Sequence, residues 1–155
     1  MPVLSIASAA DLRSARSEPR AFIFLWVAWA SQARDSEVLF QAFVEAWRAT
    51  HPELPVPAFL ADLTEQTGEV WDEICSWLAS QEPASGELTG KSYRGWSRWK
   101  RPPTARESLG ILTAGGYGAL LWSRSGVVVA SVPYLASSSL DALMAMTESV
   151  FRPET

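Results

Sequence analysis

Ala21–Arg34 reads AFIFLWVAWASQAR. Ala21 to Ala28 is an almost unbroken apolar run with two β-branched residues and three aromatics, the pattern of a strand buried on both faces of a sheet, and it is too short to cross a membrane. After Trp29 the pattern changes. Ala30, Ser31, Gln32 and Ala33 lead into Arg34 to Thr50, where Val38, Phe43 and Trp47 recur at helical spacing with Leu39 and Phe40 beside them. A buried strand therefore feeds directly into a long helix.

Working outward, Val3 to Ile6 is a short apolar segment. Ser8, with Asp11 three positions on, predicts a capped helix to about Arg16, broken by Ser17, Glu18 and Pro19. Beyond the long helix, His51-Pro52-Glu53-Leu54-Pro55 reads as a turn and Val56 to Leu63 as a second buried strand. Strand, helix and strand make a βαβ unit, whose two strands run parallel in one sheet. Glu65 to Ser80 predicts a helix with Val70, Ile74 and Leu78 on one face and Trp71 and Trp77 flanking it. Ala119 to Trp122 and Val127 to Val132, joined through Ser123-Arg124-Ser125-Gly126, predict a hairpin. A last helix, capped by Ser138 and Asp141, carries Leu140, Leu143, Met144, Thr147 and Phe151 on one face.

Composition sets the bounds. The chain has 155 residues, 48% of them hydrophobic and 19% charged, so one core and a single domain over 1–155 are expected. Eight tryptophans are many for this length, and several should lie at the core edge or on a surface, where the indole N–H finds a partner. A net charge of −4 and a pI near 5.0 argue against binding nucleic acid over the whole surface. The opening MPVLSIASAADLRSAR lacks a basic segment followed by a long apolar one, and no stretch is long enough for a membrane span, which points to a cytoplasmic protein. Cys75 is the only cysteine and His51 the only histidine, so neither an internal disulfide, CxxC chemistry nor a His-rich metal site is expected.

The junction resembles the active-site segment of thioredoxin, in which an aromatic-rich central strand ends in W-C-G-P-C-K at the start of a long helix. Here that frame reads Trp29-Ala30-Ser31-Gln32-Ala33-Arg34, with alanine at both cysteine positions. The resemblance covers nearly the whole chain and is strongest at Leu25 to Arg34 and Ala119 to Leu143. It implies an α/β thioredoxin-like fold, a central mixed sheet flanked by helices. Asp62 falls where the family often carries an aspartate, Phe24 where it keeps a buried proton-carrying aspartate, Gly118 where it has a cis-proline, and Pro133 where it has a loop glycine.

These departures have one chemical direction. Disulfide exchange needs a thiolate, which the fold supplies from a cysteine at a helix N-terminus, and Ala30 and Ala33 can neither ionise nor attack. Ser31 cannot replace the thiol as a nucleophile, because the only histidine lies beyond the far end of the helix; Ser31 is expected as a helix cap. Cys75 reads as core or core-edge filler, and His51 as a turn residue. Gly115, Gly116 and Gly118 precede a strand rather than opening a helix, so they predict a loop and no phosphate site.

The resemblance therefore implies no enzyme and no cofactor, but a redox-inactive binding or adaptor module for a protein partner. Its groove would be formed by Trp29, Ala30, Ser31, Gln32, Ala33, Tyr117 and Gly118, with a backbone-exposed loop at Gly115 to Gly118. The alternatives are a structural subunit that oligomerises through exposed tryptophans, which size measurements at several concentrations separate from a monomeric adaptor, and a non-redox enzyme holding an anionic substrate at the helix N-terminus.

One stretch, from about 81 to 108, has no counterpart in the family and reads as a basic, aromatic insertion. Between Ser85 and Arg106, Lys91, Arg94, Arg98, Lys100, Arg101 and Arg106 stand against Glu87 alone, giving the segment +5 and leaving −9 for the rest of the chain. Tyr93, Trp96 and Trp99 alternate with these cations. Such a pattern folds back on its own acidic domain, binds a partner protein, or binds nucleic acid or anionic lipid.

Overall fold

The computed structural model describes residues 3–65, 68–81, 118–132 and 135–151. At its centre is β2 (Ala21–Trp26), with Ala21 to Leu25 all buried. It pairs in parallel with β3 (Ala58–Asp62), from Phe22↔Ala58 to Trp26↔Asp62, and antiparallel with β4 (Ala119–Arg124), from Ala21↔Ser123 to Leu25↔Ala119. β1 (Leu4–Ile6) adds in parallel outside β3, and β5 (Val127–Val132) antiparallel outside β4. The mixed sheet has the order β1-β3-β2-β4-β5, with the predicted βαβ strands parallel.

Two-residue alternation sorts the central strand between two cores. Ala21, Ile23 and Leu25 join Leu12 and Ala15 of α1 (Ala9–Ser17) and Ile74, Trp77 and Leu78 of α3 (Glu69–Ala79). Phe22 and Phe24 join Phe40, Phe43 and Trp47 of α2 (Ser31–Thr50) and Leu143 and Phe151 of α4 (Leu140–Phe151). Phe24 stacks on Phe40 with ring centroids 4.8 Å apart. In β5 the bulge opposite Trp122/Ser123 turns the alternation over, so Val128 packs with the first core and Ala130 and Val132 with the second.

The termini show why the elements stop where they do. Ser8 caps α1 by accepting from Asp11 N at 3.1 Å, while the Asp11 carboxylate accepts from Ala7 N at 3.0 Å. β3 begins at Ala58 rather than Val56, since Pro55 and Pro57 have no N–H for the ladder. α3 begins at Glu69, not Glu65, after a turn at Thr64 and after Gly68, whose φ of +92° suits glycine. The hairpin turn is tighter than the sequence reading: β4 runs to Arg124, and Ser125 and Gly126 alone turn the chain, with φ of 50° and 86°.

Three expectations about helices are corrected. Ser31 does not cap α2; Ala30 takes that position with extended backbone and no side-chain hydrogen bond, and Ser31 is the exposed first helical residue. Val38 is 73% exposed. Five residues separate it from Phe43, which places the two about 140° apart around the helix, so the buried face instead runs through Ala33, Ser36, Phe40, Phe43, Val44 and Trp47. At α4 the capping hydroxyl belongs to Ser139, which accepts from Ala142 N at 3.2 Å, while Ser138 N closes the preceding 3-10 helix on Leu135 O; Leu140 lies at the exposed margin of the apolar face.

The six described tryptophans divide between the core and its edge. Trp47, Trp77 and Trp122 are buried and donate to Leu54 O, Gly126 O and Thr147 Oγ1 respectively; Trp26 and Trp71 are half-buried and Trp29 is exposed. No helix among the described residues is long and apolar enough to cross a membrane.

Candidate site at the strand-to-helix junction

The β2 ladder ends at Trp26↔Asp62 because both strands turn there. The Asp62 carboxylate accepts from Thr64 N at 2.9 Å and from the Thr64 hydroxyl, fixing a tight turn after β3. Thr64 in turn holds the neighbouring loop twice: Ala28 N donates to Thr64 Oγ1 at 2.9 Å, and Trp29 Nε1 to Thr64 O at 2.9 Å. Arg34 reaches back from the first turn of α2 to Ala28 O at 3.1 Å. Trp29 thus presents an indole that is 56% exposed and yet anchored at its N–H.

The two alanines that follow face inward. Ala30 is 7% exposed and Ala33 fully buried, while Ser31 and Gln32 face solvent. Ala33 N and Arg34 N both bond to Ala30 O at 3.2 Å, so the helix starts directly behind Trp29.

Gly118 approaches the same helix from the other side. A Cβ on Gly118 would lie 2.6 Å from Ser36 Oγ and 3.2 Å from Gln32 O, and its φ is +94°, so both space and conformation require glycine. Gly118 N donates to Leu25 O at 3.2 Å, and Gly118 O accepts from Leu135 N at 3.0 Å. Residue 118 is therefore buried with both backbone groups paired, in place of the backbone-exposed position expected; Gly115–Tyr117 lie outside the described residues. Pro133 and the insertion residues Lys91, Tyr93, Arg94, Trp96, Arg98, Trp99, Lys100 and Arg101 also lie outside them.

The site thus brings together Trp29, the Ser31–Gln32 helix start and Gly118. Thr64 and Ser36 were missed by sequence reasoning. Ser36 accepts from Ala136 N at 3.0 Å and forms the wall against which Gly118 packs; its place three residues after Ala33 and four before Phe40, on the buried stripe, was the available signal. Thr64 carries no comparable pattern.

The other candidate groups stand apart. Cys75 is half-buried on α3, and burial, followed by the nearby Asp72 charge, pushes its thiol up, opposite to the activation a nucleophilic thiol needs. His51 caps the far end of α2, stacked on Trp47 at 3.8 Å with Nε2 3.2 Å from Glu148 Oε1. Among the described residues no group of His, Cys, Asp and Glu side chains is arranged to hold a metal ion.

No known protein-family profile and no curated protein sequence matches this chain. Solved structures do. Thioredoxin O2 of Arabidopsis thaliana in its oxidised state matches over 97% of this chain and 95% of its own, with 14% identity and a TM-score of 0.51. Thioredoxin f2 of Chlamydomonas reinhardtii matches over 99% and 100%, with 9% identity and a TM-score of 0.51. The chain therefore has the thioredoxin-like fold, with a single cysteine, Cys75, and alanine at both positions that align with the cysteines of the thioredoxin motif.

Proposed function

We propose that this chain is a redox-inactive binding module that recognises a protein partner over the surface around Trp29. The observation that carries the reading is the pairing of an exposed, anchored indole with a helix start that has lost both thiols. Thiol–disulfide exchange proceeds by thiolate attack on a disulfide, and alanine provides no attacking atom. An indole held at its N–H has little rotamer freedom left to lose on binding, and tryptophan is the side chain most enriched among interface hot spots.

Gly118 supports the reading by packing against Ser36 and Gln32 O of α2 beside the helix start. Ser31 and Gln32 add exposed polar groups next to the indole. Two experiments test the proposal. An insulin-reduction assay should stay at the no-enzyme rate; turnover above it overturns the redox-inactive reading. Affinity capture from native lysate should recover a partner with the intact protein and lose it with Trp29→Ala; equal recovery by both overturns the docking surface.

A further inference from the structure

An open cleft of about 860 Å³ lies beside this junction, at the carboxyl ends of β1, β2 and β3 and the start of α3. Its lining includes Trp26 and Trp71 with the acids Glu37, Asp62, Glu65 and Glu69, and among the described residues no Lys, Arg or His lines it. None of these four acids has a cationic partner among the described residues, where ion pairs involve Glu73 and Glu148. Trp26 also carries a buried indole N–H with no hydrogen-bond acceptor.

The chemistry of such a cleft selects its occupant. No three of its acids are grouped closely enough to hold a metal ion, so the negative charge is spread along the walls rather than focused on a point. A spread anionic field with two tryptophans in the lining suits an elongated organic cation, whose charge is drawn to both carboxylate and indole. Arginine fits best: its planar guanidinium stacks on an indole and bonds carboxylates with a fork of donors, which a compact ammonium cannot do equally.

We infer that this cleft binds an arginine-bearing segment of a partner protein. The inference rests on the binding-module reading above and gives the partner its chemistry: a basic segment beside the contact with Trp29. Cleft and indole are continuous through Ala28 and Thr64, which line the cleft and anchor the Trp29 loop.

The test titrates the full chain with the blocked peptide acetyl-Gly-Arg-Gly-Arg-Gly-amide, followed by calorimetry and by the indole N–H signals of Trp26 and Trp71. The arginine peptide should bind and shift both signals, and its glutamate counterpart should not. Affinity should fall about tenfold in the E65Q/E69Q double variant and several-fold on raising the salt, since the carboxylates are solvent-exposed. E45Q, an exposed acid of α2 outside the cleft, should leave it unchanged. Absence of peptide binding, or binding indifferent to E65Q/E69Q, overturns the proposal. Absence of binding together with a lowered melting temperature for E65Q/E69Q also overturns it, and leaves these acids a role in the start of α3. Peptide titration reads the cleft and capture with Trp29→Ala reads the indole, so either can fail while the other stands.

Discussion

The two ends of α2 are finished in different ways. At the C-terminal end the Thr50 hydroxyl donates to Ala46 O, His51 N to Trp47 O, and the His51 ring lies flat on buried Trp47 and reaches Glu148 of α4. Trp47 itself donates to Leu54 O and packs edge-on against Phe22 of the central strand. At the N-terminal end there is no side-chain cap, no acidic residue in the first turn, and a tryptophan left more than half exposed. One end is closed by packing and hydrogen bonds within the chain. The other leaves Trp29 more than half exposed beside exposed Ser31 and Gln32, and that contrast is the ground on which the binding proposal places its surface at the start of the helix.

Substitutions can break this contrast, and the largest effect belongs to the closed end. Trp47→Ala removes an indole from the core between β2 and α2 and should cost about 4 kcal/mol in denaturant unfolding. A loss below about 1 kcal/mol would mean the stack is not the structural anchor described here.

Gly118→Ala should come next, at about 3 kcal/mol, because the new Cβ meets Ser36 and the residue must keep a positive φ. The Ser36→Gly background sharpens the point: there Gly118→Ala should cost less than it does with Ser36 in place, and an equal cost in both backgrounds would assign it to backbone strain.

Restoring cysteines probes the open end. In Ala30→Cys/Ala33→Cys the two positions sit at the N-cap and third residue of α2, and an intramolecular bridge should form under oxidation, leaving Cys75 as the one thiol that titrates in denaturant. Persistence of three titratable thiols would count against the strand-to-helix geometry. The variant should still be a poor reductase, since Phe24 and Gly118 remain.

The smallest effect concerns Cys75. Burial and Asp72 disfavour its thiolate, so at a given pH the folded protein holds less thiolate than the unfolded chain. Alkylation by iodoacetamide should therefore be slower in folded than in denatured protein, with the gap narrowing as pH rises past the folded value. Equal rates near neutrality would contradict the half-buried placement.

How much of this was legible in sequence follows from the kind of signal each feature carries. The apolar run at Ala21–Ala28 marked the central strand because burial on both faces removes polar residues from a strand, and the turn residues around Gly126 marked the hairpin. Val38 misled because hydrophobicity alone does not fix angular position; Phe40, Phe43, Val44 and Trp47 define the buried stripe and leave Val38 outside it. Ser31 and Ser138 were preferred as caps on residue type, whereas the backbone placed Ala30 and Ser139 there. At the candidate site, Trp29 and the alanines were readable from the aligned motif. Thr64 was not, because its role arises from two parallel strands ending side by side, a relation between positions more than thirty residues apart. The cleft was hidden for the same reason, with its acids drawn from α2, the end of β3, the turn beyond it and the start of α3.

The central claim is that Trp29 is left exposed for a partner rather than to cover its own helix start. The most direct measurement takes the captured partner and determines its affinity and the melting temperature together for Trp29→Ala. The account predicts an affinity loss of about 2 kcal/mol with little change in melting temperature, because the residue is already 56% exposed. Unchanged affinity with a lowered melting temperature would contradict it, and would make Trp29 a structural cover for the start of α2.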